Sequence, residues 1–227
     1  MYIYGKNVIK EYLKSNNKIY GVYAYKEFDD KEILDGLKNN KIKFLEKYEL
    51  DKMIKGNHQG IILEVEDFKY ADIEDIIREN GTIVMLDHIE DPHNFGAIIR
   101  TCEAAGIDGI IIPKNRSVEV NETVIRTSVG ASNYMKIALV TNLSSTIKYL
   151  KDKGYWFIGT DMDGTNYREL DYKGSVCLVI GSEGNGISRI VKESCDFIAT
   201  IPMKGKVNSL NASVAAGIVI YEAINRK

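Results

Sequence analysis

The sequence predicts an α/β protein: a mainly parallel sheet over residues 81–227, preceded by a small α/β block at 1–66. Three observations lead there. Strand-like apolar runs recur from Gly81 onward, and helical patterns fall between most of them. Neither an internal repeat nor a low-complexity tract interrupts that order. Strands alternating with helices call for a parallel sheet covered on both faces.

The first block reads as a helix near Asn7–Leu13, a strand near Ile19–Tyr25, a helix near Lys31–Lys38 and a short strand at Lys43–Leu45. It closes with HQGIILEVEDF, where Gly60 precedes a β-branched run. Residues 67–80, ending in the acidic YADIEDIIREN, read as a linker with a helical turn. The strands expected after it are TIVMLD, DGIIIP, MKIALV, YWFIGTD, VCLVIGSEG and FIATIPM. NFGAIIRTCEAAG and LSSTIKYLKDKG supply helices between them.

With 227 residues, 44% hydrophobic and 27% charged, the chain can bury a sizeable core. It has neither a membrane-spanning apolar run nor a secretory leader pattern at its start, and its three cysteines are unpaired in spacing. Those features lead to the expectation of a cytoplasmic protein with reduced thiols. The net charge of −2 does not announce a nucleic-acid binder. Residues 1–66 carry 12 basic and 11 acidic groups, and the remainder 18 and 21. Lys6, Lys10 and Lys14 recur every four residues, either as a solvated helix face or as a phosphate-facing stripe.

In sheets of this kind ligands sit beyond the carboxyl ends of the strands, and three loops there change abruptly from apolar to Gly, Asn, Ser and charge. In LDHIEDPHNFGAIIRTCEAAG, Asp91 and Pro92 break the strand, Asn94 suits a helix cap, and Arg100 lies off the apolar stripe of the helix. In VIGSEGNGIS, three glycines let backbone amides approach a ligand, and Glu183 among them is unusual for a passive turn. The order is G-x-x-G-x-G, so the dinucleotide fingerprint is absent, as is a P-loop. In IPMKGKVNSLNASVAAG, Ser209 and Asn211 precede a helix of small apolar residues; capping accounts for one of them, not for both. His88 and His93 stand near the first loop without a cysteine or a tight carboxylate partner, so no metal centre is expected.

Together DPHNFGAIIRT, LVIGSEGNGIS and IPMKGKVNSLNASVAAG resemble, in order and spacing, the three motifs of the SpoU (TrmH) family of RNA ribose 2′-O-methyltransferases, within the SPOUT superfamily. YGKNVIKEYL and NHQGIILEV resemble the small ribosomal-protein-L30-like substrate-binding domain of the branch that methylates a guanosine in large-subunit (23S) ribosomal RNA. The resemblance implies a SPOUT domain with a C-terminal deep trefoil knot over 81–227, homodimers, and S-adenosylmethionine as methyl donor. Position by position it implies Thr160, Gly181, Gly184, Ile201, Met203 and Leu210 for the cofactor. It implies Asn94, Arg100, Glu183, Ser209 and Asn211 as the catalytic polar set. Departures are Ala212 where valine is common and Cys102 where alanine is common.

The resemblance also implies the reaction, transfer of an activated methyl to a ribose 2′-hydroxyl, which asks the protein for alignment and for help with a departing proton. The family's usual base is the arginine matched by Arg100, yet a guanidinium stays protonated in proteins. The expectation here is that Arg100 holds phosphate and stabilises developing alkoxide. Lys6, Lys10, Lys14, Arg116 and Arg126 are the expected RNA contacts, with Lys114 and Arg168 as further candidates; Arg126 stands at a basic position often filled by lysine. The alternatives are the same chemistry on transfer RNA, or a noncatalytic RNA-binding or ribosome-assembly factor on the same scaffold.

Overall fold

The computed structural model describes residues 1–15 and 17–227. In chain order its elements begin with β1 (Tyr2–Tyr4), α1 (Lys6–Leu13), β2 (Ile19–Tyr25), α2 (Lys31–Gly36), β3 (Ile42–Leu45), α3 (Lys47–Met53) and β4 (Ile61–Val65). β5 (Thr82–Asp87), α4 (Pro92–Ala104), β6 (Gly109–Pro113), α5 (Glu122–Thr127), β7 (Ile137–Val140) and α6 (Leu143–Asp152) follow. The chain ends with β8 (Trp156–Asn166), β9 (Val176–Gly181), α7 (Arg189–Glu193), β10 (Phe197–Thr200) and α8 (Ala212–Asn225). Two compact units result: Met1–Lys69 with Val120–Tyr134, and Tyr70–Glu119 with Met135–Lys227.

In the first unit, β1-β4-β2-β3 form a mixed sheet in which β4 runs antiparallel to β1 and β2 while β3 runs parallel to β2. Tyr4, Leu45, Leu50, Ile54 and Ile62 cluster in its core, and α1 buries Val8, Ile9 and Tyr12. The returning segment Val120–Tyr134 packs here too. Arg126 donates from Nη1 to the Tyr4 hydroxyl at 2.6 Å, and the Tyr134 hydroxyl donates to Glu11 at 2.8 Å. The lysine face of α1 is matched by acids. Lys10 lies 2.6 Å from Glu32 and 3.4 Å from Asp30, Lys6 3.7 Å from Asp30, and Lys14 2.8 Å from Glu11. Such exposed pairs contribute little stability, but they neutralise a face that would otherwise attract phosphate.

The second unit is built on a six-stranded sheet, β10-β8-β9-β5-β6-β7, with every pairing parallel. All residues of β5, β6 and β9 are buried, the pattern of central strands covered on both faces. Ile83, Met85, Cys177 and Val179 point to one side, into a core shared with Ile147 and Leu150 of α6 and Phe157 of β8. On the other side α4 buries Phe95, Ile98, Ile99 and Cys102, and α8 buries Ala216, Val219, Ile220 and Ala223 against it. Burying one such aliphatic side chain contributes about 1.5–3 kcal/mol. Within residues 67–80, Ala71 bridges to Ala138 of β7 and Ile76 is fully buried, so Tyr70 onward belongs to this second unit.

Several elements differ from the sequence expectation. β9 stops at Gly181 and β10 at Thr200, each short of the apolar run that suggested it, because the glycine turn and Pro202 end the ladder. β8 runs on to Asn166 and meets β10 again through an irregular register after Ile198. That approach needs Gly164, where a Cβ would lie 2.4 Å from the Ile198 carbonyl oxygen. The chain lays β5, β6 and β7 in one direction and then crosses to β8, with β9 filling the gap beside β5. The order therefore reverses between β5 and β9, and Asp87 and Gly181, the last residues of those strands, pair in register.

Candidate active site

Because Asp87 and Gly181 are adjacent, the loops that leave β5 and β9 diverge from one point, the usual place for a ligand in an open parallel sheet. Asp91 caps α4 by accepting from the His93 N–H at 3.0 Å, with Pro92 in the first turn. Asn94 is not the cap. It lies within the first turn of α4, 6% exposed, which frees its amide to point at the other loops.

Three of the expected polar residues meet there. Asn94 donates from Nδ2 to Glu183 Oε1, and Asn211 Nδ2 donates to that same oxygen at 2.7 Å and to Asn94 Oδ1 at 2.9 Å. Asn211 is also the cap of α8: its Oδ1 accepts from the Ser213 and Val214 N–H groups at 3.0 and 3.3 Å and from the Ser213 hydroxyl at 2.6 Å. One side chain thus uses its oxygen to start a helix and its nitrogen to join two loops.

The β9–α7 loop owes its shape to its glycines. Ser182 and Gly186 exchange backbone hydrogen bonds of 3.0 and 2.8 Å, closing a tight turn over Gly181. A Cβ on Gly181 would sit 2.1 Å from the Gly186 carbonyl carbon, and Gly186 itself has φ 63°. Gly184 faces open space, with no atom within 4 Å of where its Cβ would be.

This turn separates two cavities. The larger, about 780 Å³, runs between the ends of β8, β9 and β10 and the approach to α8. Thr160, Gly181, Gly184, Ile201, Met203 and Leu210 all line it, together with Glu183 and Ser209. Its volume falls within the range of about 300–1,000 Å³ for small-ligand sites. At its mouth, burial pushes the Asp161 carboxyl upward, but Lys192 at 2.8 Å and the Met162 N–H outweigh it and hold it below the usual range. The smaller cavity, about 450 Å³, is bounded by Asp87, His88, Glu90, Asn94, Arg116 and the far side of the turn.

Other expected residues are not in the cluster. Arg100 is exposed on α4, six residues and so about 9 Å along the axis from Asn94, and it lines neither cavity. Lys6, Lys10, Lys14 and Arg126 belong to the first unit. Arg116 borders the smaller cavity with its backbone at φ 52°.

One expectation is corrected. His88 does have a tight carboxylate partner: its Nδ1 is hydrogen-bonded to Oδ1 of Asp87. Neighbours in an extended strand point to opposite faces, which hid the pair. His88, however, sits at φ 59°, and that left-handed turn brings the imidazole back against its neighbour. Among the described residues, no group of three His, Cys, Asp or Glu side chains is arranged to hold a metal ion.

The pattern of the SpoU rRNA methylase family matches residues 81–221, and that of an RNA 2′-O ribose methyltransferase substrate-binding domain matches residues 2–71. A Bacillus subtilis protein, YacO, named for the TrmH family of tRNA/rRNA methyltransferases, is 40% identical over 238 residues, spanning 100% of this chain and 96% of its own. The AdoMet-bound rRNA methyltransferase of Sinorhizobium meliloti superposes with a TM-score of 0.84 at 26% identity, over 99% of this chain and 86% of that one. The SpoU methyltransferase AviRb of Streptomyces viridochromogenes, at 23% identity, shares the fold with a TM-score of 0.87 over 99% and 89%. With matched motifs, a matched fold and relatives spanning its whole length, the chain belongs to the SpoU family of RNA methyltransferases.

Proposed function

We propose that this protein is an S-adenosylmethionine-dependent ribose 2′-O-methyltransferase acting, as a homodimer, on a guanosine of large-subunit (23S) ribosomal RNA. The observation that carries this reading is the joined Asn94–Glu183–Asn211 cluster beside a cavity that all six expected cofactor positions line. The cavity suits the donor: apolar walls from Ile180, Met203 and Leu210 face a turn whose glycines leave its backbone open. When bound, S-adenosylmethionine supplies a methyl group already activated on a sulfonium.

The protein's share is then positioning. Glu183 fixes both amides through Oε1, which leaves Oε2 to accept from a ribose hydroxyl. Ser209, on the wall of the larger cavity, is assigned to the same nucleotide. Arg100 remains the residue for phosphate and for alkoxide charge. Since it stands apart from the cluster, a second copy of the chain is proposed to present it, and the half-exposed Val214 and Tyr221 on α8 offer that copy an apolar face. The first unit is assigned to RNA, supported by the substrate-binding pattern over 2–71. With its lysine face largely matched by acids, recognition rests on shape and few phosphates.

Incubation with tritiated S-adenosylmethionine and separately purified, unmodified large-subunit rRNA, small-subunit rRNA and tRNA tests the substrate. Label is expected in large-subunit rRNA. Label in tRNA alone would reassign the substrate, and donor binding without transfer to any RNA would favour a noncatalytic factor.

A further inference from the structure

We infer that the Asp87–His88 pair is the proton acceptor for the attacking ribose hydroxyl, with His88 Nε2 taking the proton and Asp87 steadying the imidazole; this rests on the methyl-transfer reading above. Four observations meet at this pair. Asp87 is 1% exposed, yet its carboxylate is fully engaged: Oδ1 holds His88 Nδ1, and Oδ2 accepts from the Ser188 N–H at 2.6 Å. A carboxylate on Nδ1 selects the tautomer with its proton there, leaving Nε2 as the acceptor. That nitrogen has no partner among the described residues, and the ring, 29% exposed, lines the same cavity as Asn94 and Glu183. The backbone is held at φ 59°, a conformation that favours glycine, so a β-substituted residue is kept there against local strain.

The rest of the site cannot perform this task. Amides and hydroxyls do not accept a proton near neutrality, and a guanidinium is already charged. Imidazole is the side chain whose ordinary titration falls between pH 5 and 8. The charged and titratable groups around it are Glu90 and Asp91 before α4, Arg116 after β6, Glu183 after β9, and the Cys195 thiol behind Asp87. Cys195 is pushed up to about 12, first by burial, and so stays neutral there. In the step itself the 2′-hydroxyl proton passes to Nε2, giving an imidazolium beside the Asp87 carboxylate. The oxygen keeps its electron pair for the new bond to the methyl carbon, and the pair of the broken carbon–sulfur bond stays on sulfur as a neutral thioether.

The test is single-turnover transfer from tritiated S-adenosylmethionine to unmodified RNA transcripts across pH 5–9, for wild type and His88→Gly. Glycine suits the local φ, so the variant folds, and calorimetric titration with S-adenosylmethionine checks that its cavity is intact. General-base loss lowers rates by about 10²–10⁴-fold. We expect a fall of at least about 100-fold at pH 7, loss of the acid limb that wild type shows, and partial recovery on adding free imidazole. A variant with the wild-type rate and limb overturns the assignment, as does a slow variant that keeps the limb and ignores imidazole. Donor binding by wild type without transfer to any RNA would instead overturn the methyl-transfer reading, and this assignment with it.

Discussion

Glu183 accepts from two amides through one oxygen, and one of those amides belongs to the buried Asn94. Truncating the acceptor would leave a buried N–H unpaired, at a cost of about 1–3 kcal/mol. We expect Glu183→Ala to lower the urea midpoint and abolish transfer. Glu183→Gln, which keeps a carbonyl oxygen for the same amides, should stay close to wild type in stability while losing most of the rate. Equal midpoints for the two variants would show that the hydrogen bonds carry no weight. At this scale the motifs were readable in outline: Asn94, Glu183 and Asn211 stood out as polar groups in loops that did not need them. Their meeting could not be read, because 117 positions separate Asn94 from Asn211 and only the sheet order joins them. His88 escaped for a local reason, the left-handed backbone that no residue pattern announces.

Among the elements, the β9–α7 turn concentrates the steric demands. Gly181→Ala puts a methyl group into the Gly186 backbone, so the turn must open and the wall of the larger cavity must move. Gly184→Ala meets open space. Calorimetry with S-adenosylmethionine should show at least about a tenfold loss of affinity for Gly181→Ala, or about 1.4 kcal/mol, and a smaller change for Gly184→Ala. The reverse order would contradict the assignment of this turn to the cofactor. The long apolar strands were legible because a buried parallel sheet leaves continuous runs such as TIVMLD and VCLVIG. The short helices α3, α5 and α7, of five to seven residues, were not, since so few positions hardly span two turns of periodicity. β1 was likewise too short, at three residues, to separate from the helix that follows.

For the whole molecule, burial of neutral acids sets an alkaline limit. Cys102, Cys177 and Cys195 are all raised by burial, Cys195 to about 12. Burial also raises the Tyr12 and Tyr172 phenols to about 12. In the unfolded chain these groups titrate nearer 9 and 10. Unfolding therefore releases protons above pH 9, the native state binds more of them, and stability falls as pH rises through that window. Urea midpoints at pH 8 and 10.5 should differ, with the lower value at pH 10.5; an unchanged midpoint would contradict this burial. At this scale the two-part division was visible as a change of texture near residue 80. The return of Val120–Tyr134 to the first unit was not, because it depends on contacts such as Arg126 with Tyr4 that no local pattern predicts.

The central claim is that the polar cluster beside the larger cavity directs a methyl group to a ribose oxygen. Alkaline hydrolysis of RNA labelled by this protein with tritiated S-adenosylmethionine tests it most directly, because a 2′-O-methyl group blocks cleavage at its own nucleotide. The account predicts that the label survives in an alkali-resistant dinucleotide led by guanosine. Label recovered in mononucleotides, the mark of a methylated base, would contradict it.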